Sequence, residues 1–296
     1  MKTLAFLMTF LAALNGNAAP SKKVLVVLSS ENKITLKDGI THPTGFFLSE
    51  LMVPVRAIIK AGFEPVFATP KGNEPAMDKV SDSSGWFASE DEYREIRGHY
   101  ERLEGIKRPL RLADAVAGAT TAFAGILVPG GHAPMEDLLK DPDLGRLLRA
   151  FHAARRPTAL ICHGPIALLA ALDNPDAYLA AVTELSSAQT LGDWKKVAEL
   201  QGTLERLTKN WIYRDYAMTA FSTKEELQEE PNGSDNALGG FVKFYPDEAL
   251  GFAGGKVTVN ATKWKSLAVR DRELITGQNP MSDKEFAALL VKALAQ

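Results

Sequence analysis

Short, uninterrupted apolar runs, each closed by serine, proline or glycine and followed by a stretch of helical spacing, leave this chain few ways to fold. Residues 24–28 lie between Lys22-Lys23 and Ser29-Ser30 and show no apolar/polar alternation, which suits a strand buried on both faces of a parallel sheet. Residues 45–61 carry Phe46, Phe47, Leu51, Val55, Ile58 and Ile59 at helical spacing and stop at Gly62, a helix ended by glycine. Further strands are expected at 64–68, closed by Thr69-Pro70, at 123–128, closed by Pro129-Gly130-Gly131, and at 157–161. Helices are expected at 134–154 and 164–172. The charged stretch 90–114 reads as helical and outside the sheet. Strands alternating with helices predict an α/β fold with a doubly wound, mostly parallel sheet. The core resumes at 217–221 and 256–259, a hairpin follows at 267–269 and 273–275, and a helix starts at Asp283. Between them, residues 173–216 carry Trp194, Val197, Leu200, Leu204, Leu207 and Trp211 in a polar amphipathic pattern. This segment reads as an inserted helical cap or lid whose stripe serves packing.

The first residues have the three-part order of a secretory signal peptide: Met1-Lys2, an apolar run over 4–14, then Asn15-Gly16-Asn17-Ala18-Ala19-Pro20. Residues 1–19 are therefore expected to be removed, leaving 20–296 as one exported α/β domain, periplasmic or secreted. The run is much shorter than the ~20 apolar residues of a spanning helix, so no stable membrane span is expected. With 34 basic and 36 acidic residues and a net charge of -2, the chain has no block of like charge to attract nucleic acid.

The chain has one cysteine, which cannot form an internal disulfide. Cys162 falls between the strand expected at 157–161 and a helix opening on Gly164-Pro165. That is a strand-to-helix elbow at the carboxyl end of the sheet, where open α/β sheets bind ligands. A helix N-terminus favours thiolate, so a thiol pKa below the ordinary value is expected. Small Gly164 would let a substrate approach. A second glycine turn, Pro129-Gly130-Gly131-His132, follows another strand of the same sheet, where backbone N–H groups are positioned to hold an oxyanion. His42, His99, His132 and His152 lack ligand-like spacing, so no metal site is expected.

At these residues the chain resembles the ThiJ/PfpI family, within the class I glutamine-amidotransferase-like superfamily (flavodoxin-like fold), and especially its branch of glyoxalase III enzymes and heat-inducible chaperones. The resemblance covers about 22–172 and 217–296. It rests on Thr44-Gly45-Phe46-Phe47-Leu48-Ser49-Glu50-Leu51 with Pro54, on Val128-Pro129-Gly130-Gly131-His132, and on Ala159-Leu160-Ile161-Cys162-His163-Gly164-Pro165. Thr219-Ala220-Phe221-Ser222-Thr223-Lys224-Glu225-Glu226 and Leu274-Ile275-Thr276-Gly277-Gln278-Asn279-Pro280 complete it. What it implies is a triad of Cys162, His163 and an acid aligned to Glu226, with Glu225 as competitor. Glu50 would assist as a protonated carboxyl donating to the sulfur. Gly130, Gly131 and Gly164 would form the oxyanion and substrate-binding surface. The 173–216 segment is longer than expected for the family, and Lys243 stands where relatives usually carry proline. No histidine follows His163, which argues against the superfamily's glutamine hydrolysis.

The activity implied is cofactor-independent conversion of a small 2-oxoaldehyde such as methylglyoxal to a 2-hydroxy acid through a cysteine hemithioacetal, a protective stress role. The rivals are a holding chaperone, a cysteine peptidase or amidase, and a redox sensor oxidised at Cys162. A homodimer is the expected assembly.

Overall fold

The computed structural model describes residues 21–230 and 238–296; the expected signal peptide lies outside the described residues. Seven strands form the main sheet: β1 (Lys23–Val27), β2 (Glu64–Thr69), β3 (Leu110–Arg111), β4 (Gly125–Val128), β5 (Thr158–Ile161), β6 (Ala268–Asp271) and β7 (Leu274–Gly277). Their spatial order is β6-β7-β5-β4-β1-β2-β3. All neighbouring pairs are parallel except β6 with β7. The apolar runs are buried on both faces because alternate residues feed two cores. Leu25, Val27, Ile126, Val128 and Leu160 enter one cluster, and Val24, Val26, Leu127, Ala159 and Ile161 enter the other.

Helices cover both faces, as crossover connections between parallel strands require. Helix α1 (Leu48–Lys60) and the final helix α7 (Asp283–Leu294) pack into the second cluster. Helices α2 (Glu90–Glu101) and α3 (Pro142–Ala153) follow in the chain. Two expectations change here. The segment 134–154 is broken: Asp141 accepts hydrogen bonds from the N–H groups of Asp143 and Leu144, and Pro142 opens a new helix behind it, a strong start signal inside a helical pattern. The stretch 90–114 is not wholly outside the sheet, because Leu110–Arg111 pairs with Ala68 and Thr69 as its edge strand.

The 173–216 segment is a helical hairpin, α4 (Pro175–Leu191) and α5 (Trp194–Thr208), joined at Gly192 with φ +69. Val182, Leu185, Val197, Leu200 and Leu204 pack into the first cluster, and Trp211 Nε1 donates to the Leu168 carbonyl at 3.0 Å. Packing is thus the use of the stripe, except for Trp194, which is 70% exposed at the hairpin tip. No described helix is long and apolar enough to cross a membrane.

Candidate active site

Strands β4 and β5 are parallel neighbours, with Val128 opposite Leu160, so the turns that follow them open at the same edge. After Ile161 the chain turns sharply and Cys162 takes φ +62, a conformation that costs a non-glycine residue of order 1 kcal/mol or more. The turn is fixed from both sides. Cys162 N–H donates to the Gly277 carbonyl, and the Cys162 carbonyl accepts from Phe221 N–H, each at 2.8 Å. The second bond ties the elbow to α6 (Thr223–Glu229), which carries the acidic pair.

That tie decides between the two glutamates. Glu226 is fully buried, and its Oε2 accepts from His163 Nε2 at 2.7 Å. His163 Nδ1 stands 3.2 Å from Cys162 Sγ, and its ring stacks on Phe221 with centroids 4.5 Å apart. Glu225, equally buried, faces the other way. It completes a capping box with Ser222 and accepts from Trp264 N–H, Gln278 Nε2 and Asn279 Nδ2 at 2.7–2.8 Å. Glu225 therefore anchors the loop of Trp264, itself at φ +57.

Glu50 reaches the elbow from the first turn of α1. Its Oε2 accepts from Gly130 N–H at 3.0 Å, and Oε1 has no hydrogen-bond partner among the described residues. Burial raises its carboxyl to about 8, against weaker opposing contributions from the Cys162 thiol and Gly130 N–H, so the acid is protonated at neutral pH. The expected depression of the Cys162 thiol is overturned. Burial pushes the thiol up, Glu50 adds to this, and the N–H groups of Gly131 and His163 only partly oppose it. Cys162 is 3% exposed, and residues Gly164–Ala171 form a 3-10 helix. Two N–H donors do not offset the lost hydration, and the resting group is a thiol.

The glycines divide by role. Gly131 (φ +80) lines the cavity and its N–H faces the sulfur. Gly130 is not free to bind an oxyanion, since its N–H is held by Glu50, and a Cβ there would lie 2.6 Å from both Cys162 Cβ and Glu50 Oε2. Gly164 does not line the cavity either; a Cβ would meet the Val128 carbonyl at 2.6 Å. Both glycines permit the two turns to touch.

The cavity above Cys162 has a volume of about 50 Å³. Phe47, Trp86, Phe221 and Trp264 give it aromatic walls, and His42, Asp78, His132 and Glu229 its polar rim. No residue of 173–216 lines it, so the expected lid is a buttress on the far side of the core. The sequence motifs supply about half of this lining, whereas Trp86 and Trp264 were invisible in sequence, because both lie in segments without a periodic pattern. His132 was visible in the Pro129-Gly130-Gly131-His132 turn but had no assigned partner; its Nε2 lies 2.8 Å from Glu226 Oε1. Among the described residues, His132, His163 and Glu226 form the one group of metal-ligand type atoms within 4.8 Å of one another. Both Nε2 atoms already meet the carboxylate at hydrogen-bond distance, which makes the trio a hydrogen-bonded network.

An open, mostly parallel sheet with a strained cysteine elbow at its carboxyl edge defines a class of α/β proteins with a buried thiol–imidazole–carboxylate relay. This chain belongs to the DJ-1/PfpI family, whose sequence model matches residues 40–185. It is 25% identical over 279 residues to a Pseudomonas aeruginosa protein named protein/nucleic acid deglycase HchA, covering 93% of this chain and 81% of that one. Among solved structures it is similar to Rapid Encystment Protein 24 kDa of Francisella tularensis, with a TM-score of 0.66, 25% identity and coverage of 92% and 99%. Glyoxalase III of Candida albicans shares the fold, with a TM-score of 0.63, 17% identity and coverage of 92% and 96%.

Proposed function

We propose that this protein is an enzyme that converts a free, small 2-oxoaldehyde such as methylglyoxal to the 2-hydroxy acid, without glutathione or another cofactor. The observation that carries the reading is the Cys162–His163–Glu226 relay at the foot of an aromatic cavity of about 50 Å³. Neutral His163, with Nε2–H held by Glu226, takes the thiol proton at Nδ1 as Sγ bonds to the aldehyde carbon. The proton passes to the aldehyde oxygen, giving a hemithioacetal, with Gly131 N–H and protonated Glu50 beside the developing charge. His163 then removes the hydrogen from C1 and returns it to C2 through an enediol, leaving a thioester. Water hydrolyses the thioester to the acid and restores the thiol.

Relatives named as protein and nucleic acid deglycases suggest a second reading, release of an aldehyde already attached to a macromolecule. The small volume of the cavity, about 50 Å³, and the 3% exposure of Cys162 favour the free aldehyde. A peptidase would need an extended groove, which this cavity does not provide. Incubation with methylglyoxal in the absence of glutathione should yield lactate; release from glycated peptide with no lactate from free methylglyoxal would select the second reading. Export, supported by the order of residues 1–20, belongs to the same proposal, and intact Met1 in an exported fraction would count against it.

A further inference from the structure

Glu226 serves two histidines. Its Oε1 meets His132 Nε2 at 2.8 Å while its Oε2 meets His163 Nε2 at 2.7 Å, and the two imidazole rings stand with centroids 4.1 Å apart. Both carboxylate oxygens therefore accept from ring N–H groups, and each ring keeps Nδ1 as its second nitrogen. Two imidazolium charges this close, sharing one carboxylate, repel strongly in a water-poor site. The centre therefore favours holding one excess proton, and the surroundings decide which ring carries it.

The two rings have different neighbours. His163 is 2% exposed, stacked on Phe221 and in contact with the Cys162 thiol. His132 keeps 12% of its side chain exposed and lines the cavity with Asp78 and Glu229. The remaining groups facing the pair are His42, from the strand Thr41–Pro43, and Glu50, from α1, which is neutral below about 8.

We propose that His132 is a positioning residue of the catalytic centre: its imidazolium, paired with Glu226, leaves His163 neutral with Nε2–H on Glu226 and the Nδ1 lone pair toward Cys162. This rests on reading Cys162 and His163 as the reacting pair. The electrostatics agree in direction. Burial opposes charge on both rings, but Glu226, Asp78 and Glu229 overcome it at His132 and raise that ring, whereas burial and then the His132 charge lower His163. Burial alone would raise the Glu226 carboxyl, yet the two histidines hold it well below the carboxylate range. A single histidine on a buried carboxylate tends to be trapped as imidazolium, unable to accept the thiol proton. With the second cation beside it, His163 is a base at rest, and after accepting the proton it is a stronger acid for delivering it to oxygen and then to C2.

The test is His132→Gln, whose amide keeps an N–H donor for Glu226 without the charge. Imidazole 15N NMR of the full mature protein across pH 5–9 should find His132 protonated above the ordinary histidine range. His163 should be a neutral Nε2–H tautomer to below that range. In His132→Gln, His163 should titrate at least about one pH unit higher. The acid limb of kcat/KM should move up with it, about tenfold lost at pH 6 and little at pH 8, a pH split that loss of packing alone would not give. An unmoved His163 titration in the variant overturns the proposal. So does a native protein in which His163 carries the proton at pH 7, a measurement that needs no variant to fold. The NMR arm uses no aldehyde, so absence of methylglyoxal turnover would end the glyoxalase reading and leave this one to be decided separately.

Discussion

Two buried carboxylates in this molecule orient a histidine, one at each end of the parallel strands. At the carboxyl edge, Glu226 holds His163 against Cys162. At the amino edge, beside the start of β5 and β7, Glu273 Oε1 lies 2.8 Å from His152 Nδ1 and accepts from the Tyr216 hydroxyl at 3.0 Å. The Arg272 guanidinium stacks over the Tyr216 ring. The parts are nearly alike and the surroundings are not. At the carboxyl edge a strained elbow presents a thiol to a small aromatic-walled cavity. At the amino edge the third member is a phenol whose pKa burial and Glu273 raise to about 12, and the cluster joins α3 to the β6–β7 turn. A histidine–carboxylate pair thus takes its setting from the strand end it occupies, and only the carboxyl edge puts a strained cysteine beside it.

The sharpest way to break this contrast is to remove one member from each end. Cys162→Ala should abolish 2-oxoaldehyde turnover, and His163→Ala should lower kcat/KM by at least about two orders of magnitude, as expected for loss of the acid/base. His152→Ala should leave turnover unchanged and cost about 1–3 kcal/mol in denaturant unfolding, through the lost contact with Glu273, which keeps only the Tyr216 hydroxyl. Full turnover in Cys162→Ala would end the cysteine hemithioacetal mechanism, whereas prevention of aggregation that survives Cys162→Ala, with no turnover in the native protein, would favour the chaperone alternative.

The adjacent glutamates give the next largest effect. Glu226→Ala should lower turnover by less than His163→Ala does. Glu225→Ala strands the donors of Trp264, Gln278 and Asn279, and should cost more than about 3 kcal/mol of stability in a melting experiment. If Glu225→Ala melts like the native protein, the assignment of Glu225 as the anchor of the Trp264 loop is wrong.

The smallest expected effect is at Glu50. Its carboxyl, raised to about 8, should give kcat/KM an alkaline limb near that pH as the donor is lost. Glu50→Gln should remove this limb while retaining activity at pH 7. The sign for stability is the same. A group raised on folding contributes fully below its unfolded value and loses that contribution as pH rises through the folded one. The native Tm should therefore fall between about pH 4.5 and 8, and Glu50→Gln should flatten that slope.

Local sequence was sufficient for the central strands because both-face burial writes itself as continuous apolar runs, whereas the exposed two-residue edge strand Leu110–Arg111 carries no such run; the elbow was legible because Ile161-Cys162-His163-Gly164-Pro165 is contiguous. The hairpin at 173–216 was legible as amphipathic helix but not as a buttress, since periodicity marks a face and not what it packs against. Glu225 and Glu226 could not be separated by one residue of alignment. Their opposite directions follow from the bond between Phe221 N–H and the Cys162 carbonyl, made across the fold. The same holds for the thiol. A strand-to-helix junction predicts stabilised thiolate, but exposure decides hydration, and Cys162 is sealed by residues from α1 and from loops distant in sequence. The central strands, the elbow and the set of reactive groups are written locally in the chain. Only the tertiary structure decided which carboxylate meets which histidine and which proton each holds, because those depend on distances and burial that no local pattern encodes.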